Sequence, residues 1–106
     1  MATTQIVDNF KNTAINTAQT AFTATIPVAI EAFTATNNST VNASYKVYIV
    51  SASGVEVPIM PFKILVWGRF DVGVGIVNQV IPAGGQLKVE SSALDSIYFT
   101  SSARAV

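Results

Sequence analysis

The sequence predicts an all-β protein, a single antiparallel β-sandwich (jelly-roll-like or Ig-like) with an N-terminal arm. Apolar and polar residues alternate with period two over several short segments, which is typical of half-buried strands. Turn-forming residues interrupt these segments roughly every ten residues. The chain has 106 residues, enough for one hydrophobic core but not two. We therefore predict an arm over residues 1–19 and one sandwich domain over residues 20–106.

The predicted arm differs in composition from the rest of the chain, being polar and rich in Thr, Asn and Ala. The spacing of Ile6, Phe10 and Ala14 allows a short helix, although a helix of this length is marginal alone. A frayed leader is the simpler alternative. Ile6, Val7 and Phe10 are more apolar than a solvated tail needs, so we favour an arm that docks on a neighbouring subunit.

The front half of the sandwich is predicted from alternation and turn signals. Period two begins at Thr20, and Pro27 marks the start of a second strand because proline cannot donate within a sheet. Residues 37–40 form a turn by composition, and residues 45–50 are β-branched and aromatic throughout, as in a strand. The alternation places Val28, Ile30 and Ala32 on one face of the second strand, and Glu31 and Phe33 on the other.

The middle segment, residues 55–76, has the least regular pattern. Pro58 and Pro61 predict an edge strand or a loop. Residues 62–67 have the composition of a strand, and residues 68–75 are rich in glycine and predict a long excursion. A phosphate loop is not supported, because the segment lacks both a further glycine and a following helix.

Three residues of this segment are candidates for an interface. Trp67, Arg69 and Phe70 belong to the residue types that concentrate in binding hot spots, and a glycine-flanked segment suits a loop that orders on contact. The alternative is that Trp67 belongs to the core. Arg69 and Asp71 are expected to pair, which contributes at most about 1 kcal/mol if the pair is exposed.

The closing part of the chain predicts a strand, a turn, a strand, a corner and a last strand. Residues 77–81 are apolar, and Pro82–Gly85 supplies the turn. Residues 86–90 alternate with period two, Leu94 is expected to plug the corner, and residues 97–100 return. The inward residues of the last two strands are predicted to be Leu87, Val89, Ile97 and Phe99.

Two phrases of this closing part carry a resemblance. Ile81–Leu87 (IPAGGQL) and Leu94–Ser101 (LDSIYFTS) resemble the closing strands of small β-sandwich virion proteins of tailed bacteriophages, which are head-decoration (cement) or tail-accessory proteins. The likeness extends loosely back to about residue 17, and the chain departs from it between Phe62 and Gly75. The resemblance implies a virion location, with the capsid exterior favoured, and a homo-oligomer, with a trimer favoured.

Composition favours an assembled structural protein. Only 11% of the residues are charged, against about 25% in typical domains. The six basic and six acidic residues give no formal net charge, a condition that promotes association. No basic patch indicates nucleic acid, and the N-terminal residues do not form a secretory signal. The most apolar stretch, residues 21–35, is interrupted by Pro27 and Glu31, so no membrane span is predicted.

The sequence also argues against catalysis. It contains no cysteine and no histidine, so thiolate chemistry, a Ser-His triad and the commonest metal ligand are excluded. The remaining acids are isolated in the sequence, and a paired-carboxylate site usually needs a deep cleft. We therefore expect no enzyme and no cofactor or metal. Two functions remain open: a capsid decoration protein that binds the major capsid protein or other virion subunits, and a tail, fibre-base or host-surface-binding accessory module.

Overall fold

The computed structural model describes residues 3–106 and contains two antiparallel sheets packed into a β-sandwich, which confirms the predicted fold class. Nine strands form over the described residues. They are β1 (Thr4–Phe10), β2 (Gln19–Thr23), β3 (Val28–Asn37), β4 (Ala43–Val50), β5 (Glu56–Leu65), β6 (Phe70–Asp71), β7 (Val80–Ile81), β8 (Gln86–Ser91) and β9 (Ile97–Ala105).

The strand order is that of a jelly roll. Sheet A has the order β1-β9-β3-β6, with the short β7 also paired to β3, and sheet B has the order β2-β8-β4-β5. When β7 is left out, the first strand pairs with the last, the second with the last but one, the third with β6 and the fourth with the fifth. This is the pairing of a long hairpin that has rolled up on itself. This order excludes the Ig-like alternative, whose sheets group the strands differently.

The core lies between the two sheets and is built around three aromatic rings. The Phe99 ring lies 5.9 Å from that of Phe33 and 5.8 Å from that of Tyr45, measured between ring centroids. These separations are typical of tilted and edge-to-face aromatic pairs. The four residues that the closing strands were predicted to bury, which are Leu87, Val89, Ile97 and Phe99, are all at most 1% exposed.

The predicted N-terminal arm differs from the structure. Residues 4–10 form β1, the edge strand of sheet A, which pairs with β9 of the same chain. Val7 is buried in the core, and Ile6 and Phe10 pack partly against it. The helical alternative is wrong, because residues 4–10 are extended. Met1 and Ala2 lie outside the described residues.

A β-bulge in β3 reverses the predicted faces of its second half. Ile30 pairs with Ala103 and Ala32 with Ser102, so one extra residue, Glu31, lies in β3 between two neighbouring positions of β9. A bulge of this kind shifts the alternation by one residue. Phe33 therefore points into the core and Ala32 is exposed, contrary to the prediction.

The two prolines of β5 lie, as predicted, on an edge strand, since β5 pairs only with β4 in sheet B. The register of β5 against β4 shifts between Tyr45 and Val47 and again between Val47 and Tyr48. Proline and bulges are two devices by which proteins prevent further strands from adding to a sheet edge.

Two predictions for the closing part are wrong in detail. Only Val80 and Ile81 of the predicted strand 77–81 are extended, because the chain turns before them and Asn78 has φ of +72°. Leu94 does not plug the corner and is 49% exposed. Ser91 and Ser96 fill the corner instead, and their hydroxyls donate to the carbonyls of Ala93 and Leu94.

Candidate functional site

Seven large apolar side chains are exposed between β5 and the loop that follows β6, and we call this set the apolar rim. Each has at least 44% of its surface exposed, and Phe70 and Val74 reach 68% and 80%. Large exposed apolar patches on a soluble domain mark interaction surfaces. The members of the rim are Phe62, Ile64, Val66, Trp67, Phe70, Val72 and Val74.

The first half of the rim follows from the alternation of β5. Leu65 pairs with Ala43 and is buried, and Ile64 pairs with Ser44 on the opposite, outer face of sheet B. Period two then brings Phe62 and Val66 to the same outer face as Ile64. A strand at a protein surface normally has polar residues on its outer face, so the apolar outer face at this end of β5 is unusual.

A tight turn between β5 and β6 displays Trp67 and is held by a buried asparagine. The Asn37 amide nitrogen donates to the Leu65 carbonyl at 2.8 Å. The Asn37 backbone accepts from the Gly68 N–H and donates to the Arg69 carbonyl, both at 2.9 Å. Gly68 has φ of +71°, which favours glycine. Asn37 therefore positions both ends of the turn, although the sequence indicated only a turn residue.

An ionic cluster fixes the second half of the rim to the sandwich. The Tyr45 hydroxyl donates to the Asp71 carboxylate, and the Lys63 ammonium lies 3.0 Å from the same oxygen. Burial alone would raise the pKa of Asp71. The hydrogen bonds from Tyr45, Lys63 and the Gly73 backbone outweigh burial, so this pKa lies below its usual value. Burial and the Asp71 contact raise the pKa of Tyr45, which keeps the phenol protonated as a donor.

The loop after β6 encloses a hollow next to the rim. The hollow has a volume of about 470 Å³ and lies between the middle of β3 and the loop. It is bordered by Val72, Val74 and Val77 on one side and by residues 31–34 of β3 on the other. Its lining is mainly apolar, and Glu31, Thr34 and Asn78 are its polar residues.

The structure brings three of the six predicted interface residues together. Trp67, Arg69 and Phe70 are all exposed around one turn, so the alternative of Trp67 as a core residue is wrong. Ile6, Val7 and Phe10 lie on β1, at the opposite edge of sheet A. Val7 is only 4% exposed and is not available to a partner in this conformation.

The predicted pair of Arg69 and Asp71 does not form, because the Asp71 carboxylate is already engaged by Tyr45 and Lys63. Asp71 points inwards to Tyr45 and pairs with Lys63. Arg69 is exposed and makes no ion pair within residues 3–106.

The outer face of sheet B away from the rim is charged and polar. Lys88 of β8 pairs with Glu56 of β5 at 3.0 Å, and Lys46 of β4 lies 3.6 Å from Glu90 of β8. The Tyr48 hydroxyl donates to Glu90 at 3.2 Å. The charged groups on this half of the face are therefore paired with each other across the strands, and the surface here is polar.

Within residues 3–106, no group of three or more acidic, histidine or cysteine side chains has the arrangement of a metal site. No helix in this part of the chain is long and apolar enough to cross a membrane.

Comparison with known proteins adds one structural likeness. A scan of protein-family models and a search of curated proteins found no match. Among solved structures, the chain is similar to a chain of infectious bursal disease virus, Gt strain. The likeness has a TM-score of 0.49 and 13% sequence identity, and it covers 96% of this chain and 31% of the viral chain.

Proposed function

We propose that this protein is a structural virion protein of a tailed bacteriophage, a decoration (cement) protein that binds the outside of the capsid and stabilises the head shell. The apolar rim is the surface that contacts neighbouring virion subunits, the shell among them. The observation that carries the proposal is the exposure of Trp67 and Phe70 on a turn that Asn37 and Asp71 hold firmly in place.

The energetics of the rim support a role in contact. Burying one large apolar side chain stabilises a complex by about 1.5–3 kcal/mol relative to leaving it in water. Exposed tryptophan and phenylalanine contribute nothing comparable to the isolated chain, and with so little charge they promote association. The turn that displays them is already ordered, so binding would lose little conformational entropy.

Fold and sequence resemblance support a virion role by analogy. Jelly rolls are frequent in viral capsid domains, although they also occur in lectins and cupins. The phrases Ile81–Leu87 and Leu94–Ser101, which resemble the closing strands of phage virion proteins, form the end of β7, the turn into β8, and most of β9. These phrases build the sandwich, while the partner surface lies in the segment where the resemblance fails.

We propose a role without catalysis for the same protein. Five of its six acidic side chains are in ion pairs with basic side chains. A carboxylate held in this way is stabilised in its charged form and is poorly suited to act as a general acid at neutral pH.

The alternative is a tail, fibre-base or host-surface-binding accessory module. The observation that favours it is the hollow between β3 and the loop after β6, where Glu31 and Asn78 provide polar groups beside an apolar lining. A concave site of this composition suits a small ligand such as a sugar. Jelly rolls in lectins provide the corresponding analogy of fold.

The copy number and position of the protein on the particle test the proposal. Purified protein is added to heads that lack it, and the bound copies are counted and located by electron cryomicroscopy. Decoration predicts a copy number that scales with the shell subunits, with the rim facing the shell. Binding confined to a single vertex or to the tail would contradict decoration and favour the alternative.

A further inference from the structure

The ion pairs of the described residues leave one cation and one anion without a partner. Five pairs form within the chain and involve five of its six basic and five of its six acidic side chains. The remaining two are Asp8 and Arg69, and both side chains are exposed. Each other charged side chain of the described residues has a partner within the chain, so these two are the charged side chains free to pair with another molecule.

Asp8 and Arg69 lie at the two opposite edges of sheet A. Asp8 is on β1, which forms one edge, and Arg69 directly precedes β6, which forms the other. The register of β1 against β9 shifts between Val7 and Phe10. This bulge lets Val7 and Phe10 both point to the inner side of the sheet. Bulges often redirect a side chain, and this one leaves Asp8 in solvent between two residues that pack against the core.

Each of the two charges has apolar neighbours. Ile6 and Phe10 flank Asp8 on β1 and are only partly buried. Trp67 and Phe70 flank Arg69 and are 58% and 68% exposed. Each edge thus combines one charge with exposed apolar surface, and the two edges carry opposite charges.

We propose that a second copy of this chain binds at these edges, with the β1 edge of one copy against the β6 edge of the next and Asp8 paired to Arg69. This inference rests on the proposed role as an assembling subunit and names a partner for it. The contact joins different surfaces of the two copies, so it is heterologous and can close into a ring.

A contact between two identical edges is disfavoured by the same charges. A symmetric contact that placed two β6 edges face to face would bring Arg69 towards its counterpart, and two β1 edges would bring the two Asp8 carboxylates together. Like charges brought together at an interface repel each other and act against the wrong pairing. Opposite charges on opposite edges therefore favour the head-to-tail arrangement.

Charge reversal tests this pairing in solution. Asp8→Arg and Arg69→Asp are prepared separately and together, and association is measured by sedimentation. Each single variant is expected to associate at least about tenfold more weakly, because it places like charges at every contact. The double variant is expected to recover the wild-type association within about threefold, because it restores opposite charges at every contact. An equimolar mixture of the two single variants is expected to associate more strongly than either variant alone, because contacts between the two variants pair opposite charges.

Cysteine cross-linking gives a second readout that does not need a stable complex. The chain has no cysteine, so Asp8→Cys and Arg69→Cys, one of them with a size tag, provide the only thiols in a mixture. Oxidation is expected to give mainly the mixed covalent dimer. A majority of same-variant dimers would overturn the proposal, as would a wild-type protein that remains monomeric at high concentration or a charge swap that fails to recover association. Melting temperatures of all variants confirm that each is folded.

These measurements use the purified protein alone and are separate from attachment to the phage head. If the protein binds heads but the double charge-reversal variant does not recover association, the decoration role stands and the contact between copies is wrong. If the double variant recovers association but the protein does not bind heads, the contact between copies stands and the decoration role is wrong.

Discussion

Strand β9 and the apolar rim are both rich in large apolar residues, yet they use them in opposite ways. β9 lies inside sheet A between β1 and β3, and its Ile97 and Phe99 are buried. The rim residues lie in or directly after the edge strand β5 and the short β6, and each of the seven side chains is exposed. The comparison indicates that apolar residues of β9 stabilise the fold, while those of the rim are available for contact with another molecule.

The largest expected effect separates two identical substitutions in these regions. Phe99→Ala removes a ring that contacts Phe33 and Tyr45 in the core, and we expect it to lower the free energy of unfolding by about 3–5 kcal/mol. Phe62→Ala makes the same chemical change in the rim, where 58% of the side chain is exposed, and should change it by no more than about 0.5 kcal/mol. Urea unfolding of both variants measures the difference. Equal losses would mean that the rim is part of the core.

A smaller effect is expected where the rim is attached to the sandwich. Asp71→Asn retains a hydrogen-bond acceptor for Tyr45 but removes the charge that pairs with Lys63. We expect a loss of about 1–2 kcal/mol at neutral pH, since hydrogen bonds to charged groups are the stronger ones.

The same variant makes a prediction about pH. The pKa of Asp71 is lower in the folded protein than its ordinary value of 3.8, so its contribution is complete above that value and is lost as the pH falls below it. The wild type should therefore lose stability more steeply than Asp71→Asn as the pH falls from about pH 4 to about pH 2. Parallel curves for the two proteins would contradict the proposed role of this cluster.

The buried residues could be predicted from the sequence in strands where the period-two alternation is uninterrupted. Leu87 and Val89 on β8, and Ile97 and Phe99 on β9, are buried as period two predicts. For the two prolines of β5 the sequence left an edge strand or a loop open, because a proline cannot donate a hydrogen bond within a sheet. The structure shows the edge strand.

The buried face of a strand could not be predicted from the sequence where a bulge shifts the period-two alternation. One extra residue in β3 moves Phe33 into the core, and a register shift in β1 lets Val7 and Phe10 both face inwards at a spacing of three. A spacing of three or four residues is as compatible with a helix as with a bulged strand, which is why a short helix was an alternative here. The separate arm was predicted from the polar composition of residues 1–19.

The candidate site was predicted only in part for a related reason. Trp67, Arg69 and Phe70 were recognised by residue type, but Ile64, Val66 and Val72 were not, because exposed and buried apolar residues have the same sequence signature. Only their exposure in the folded chain shows that these side chains remain uncovered. The role of Asn37 depends on contacts with the β5–β6 turn, distant in sequence, and was equally hidden.

The most direct test of the central claim compares stability with attachment in one variant. Trp67→Ala combined with Phe70→Ala removes two exposed rings of the rim, and Ile15→Ala combined with Leu94→Ala is the matched control, with side chains that are 53% and 49% exposed elsewhere. We expect the rim variant to unfold within about 1 kcal/mol of the wild type and to bind heads that lack the protein at least about thirtyfold more weakly, while the control binds normally. Normal attachment of the rim variant, or a loss of several kcal/mol in its stability, would contradict the claim that the rim serves contact rather than folding.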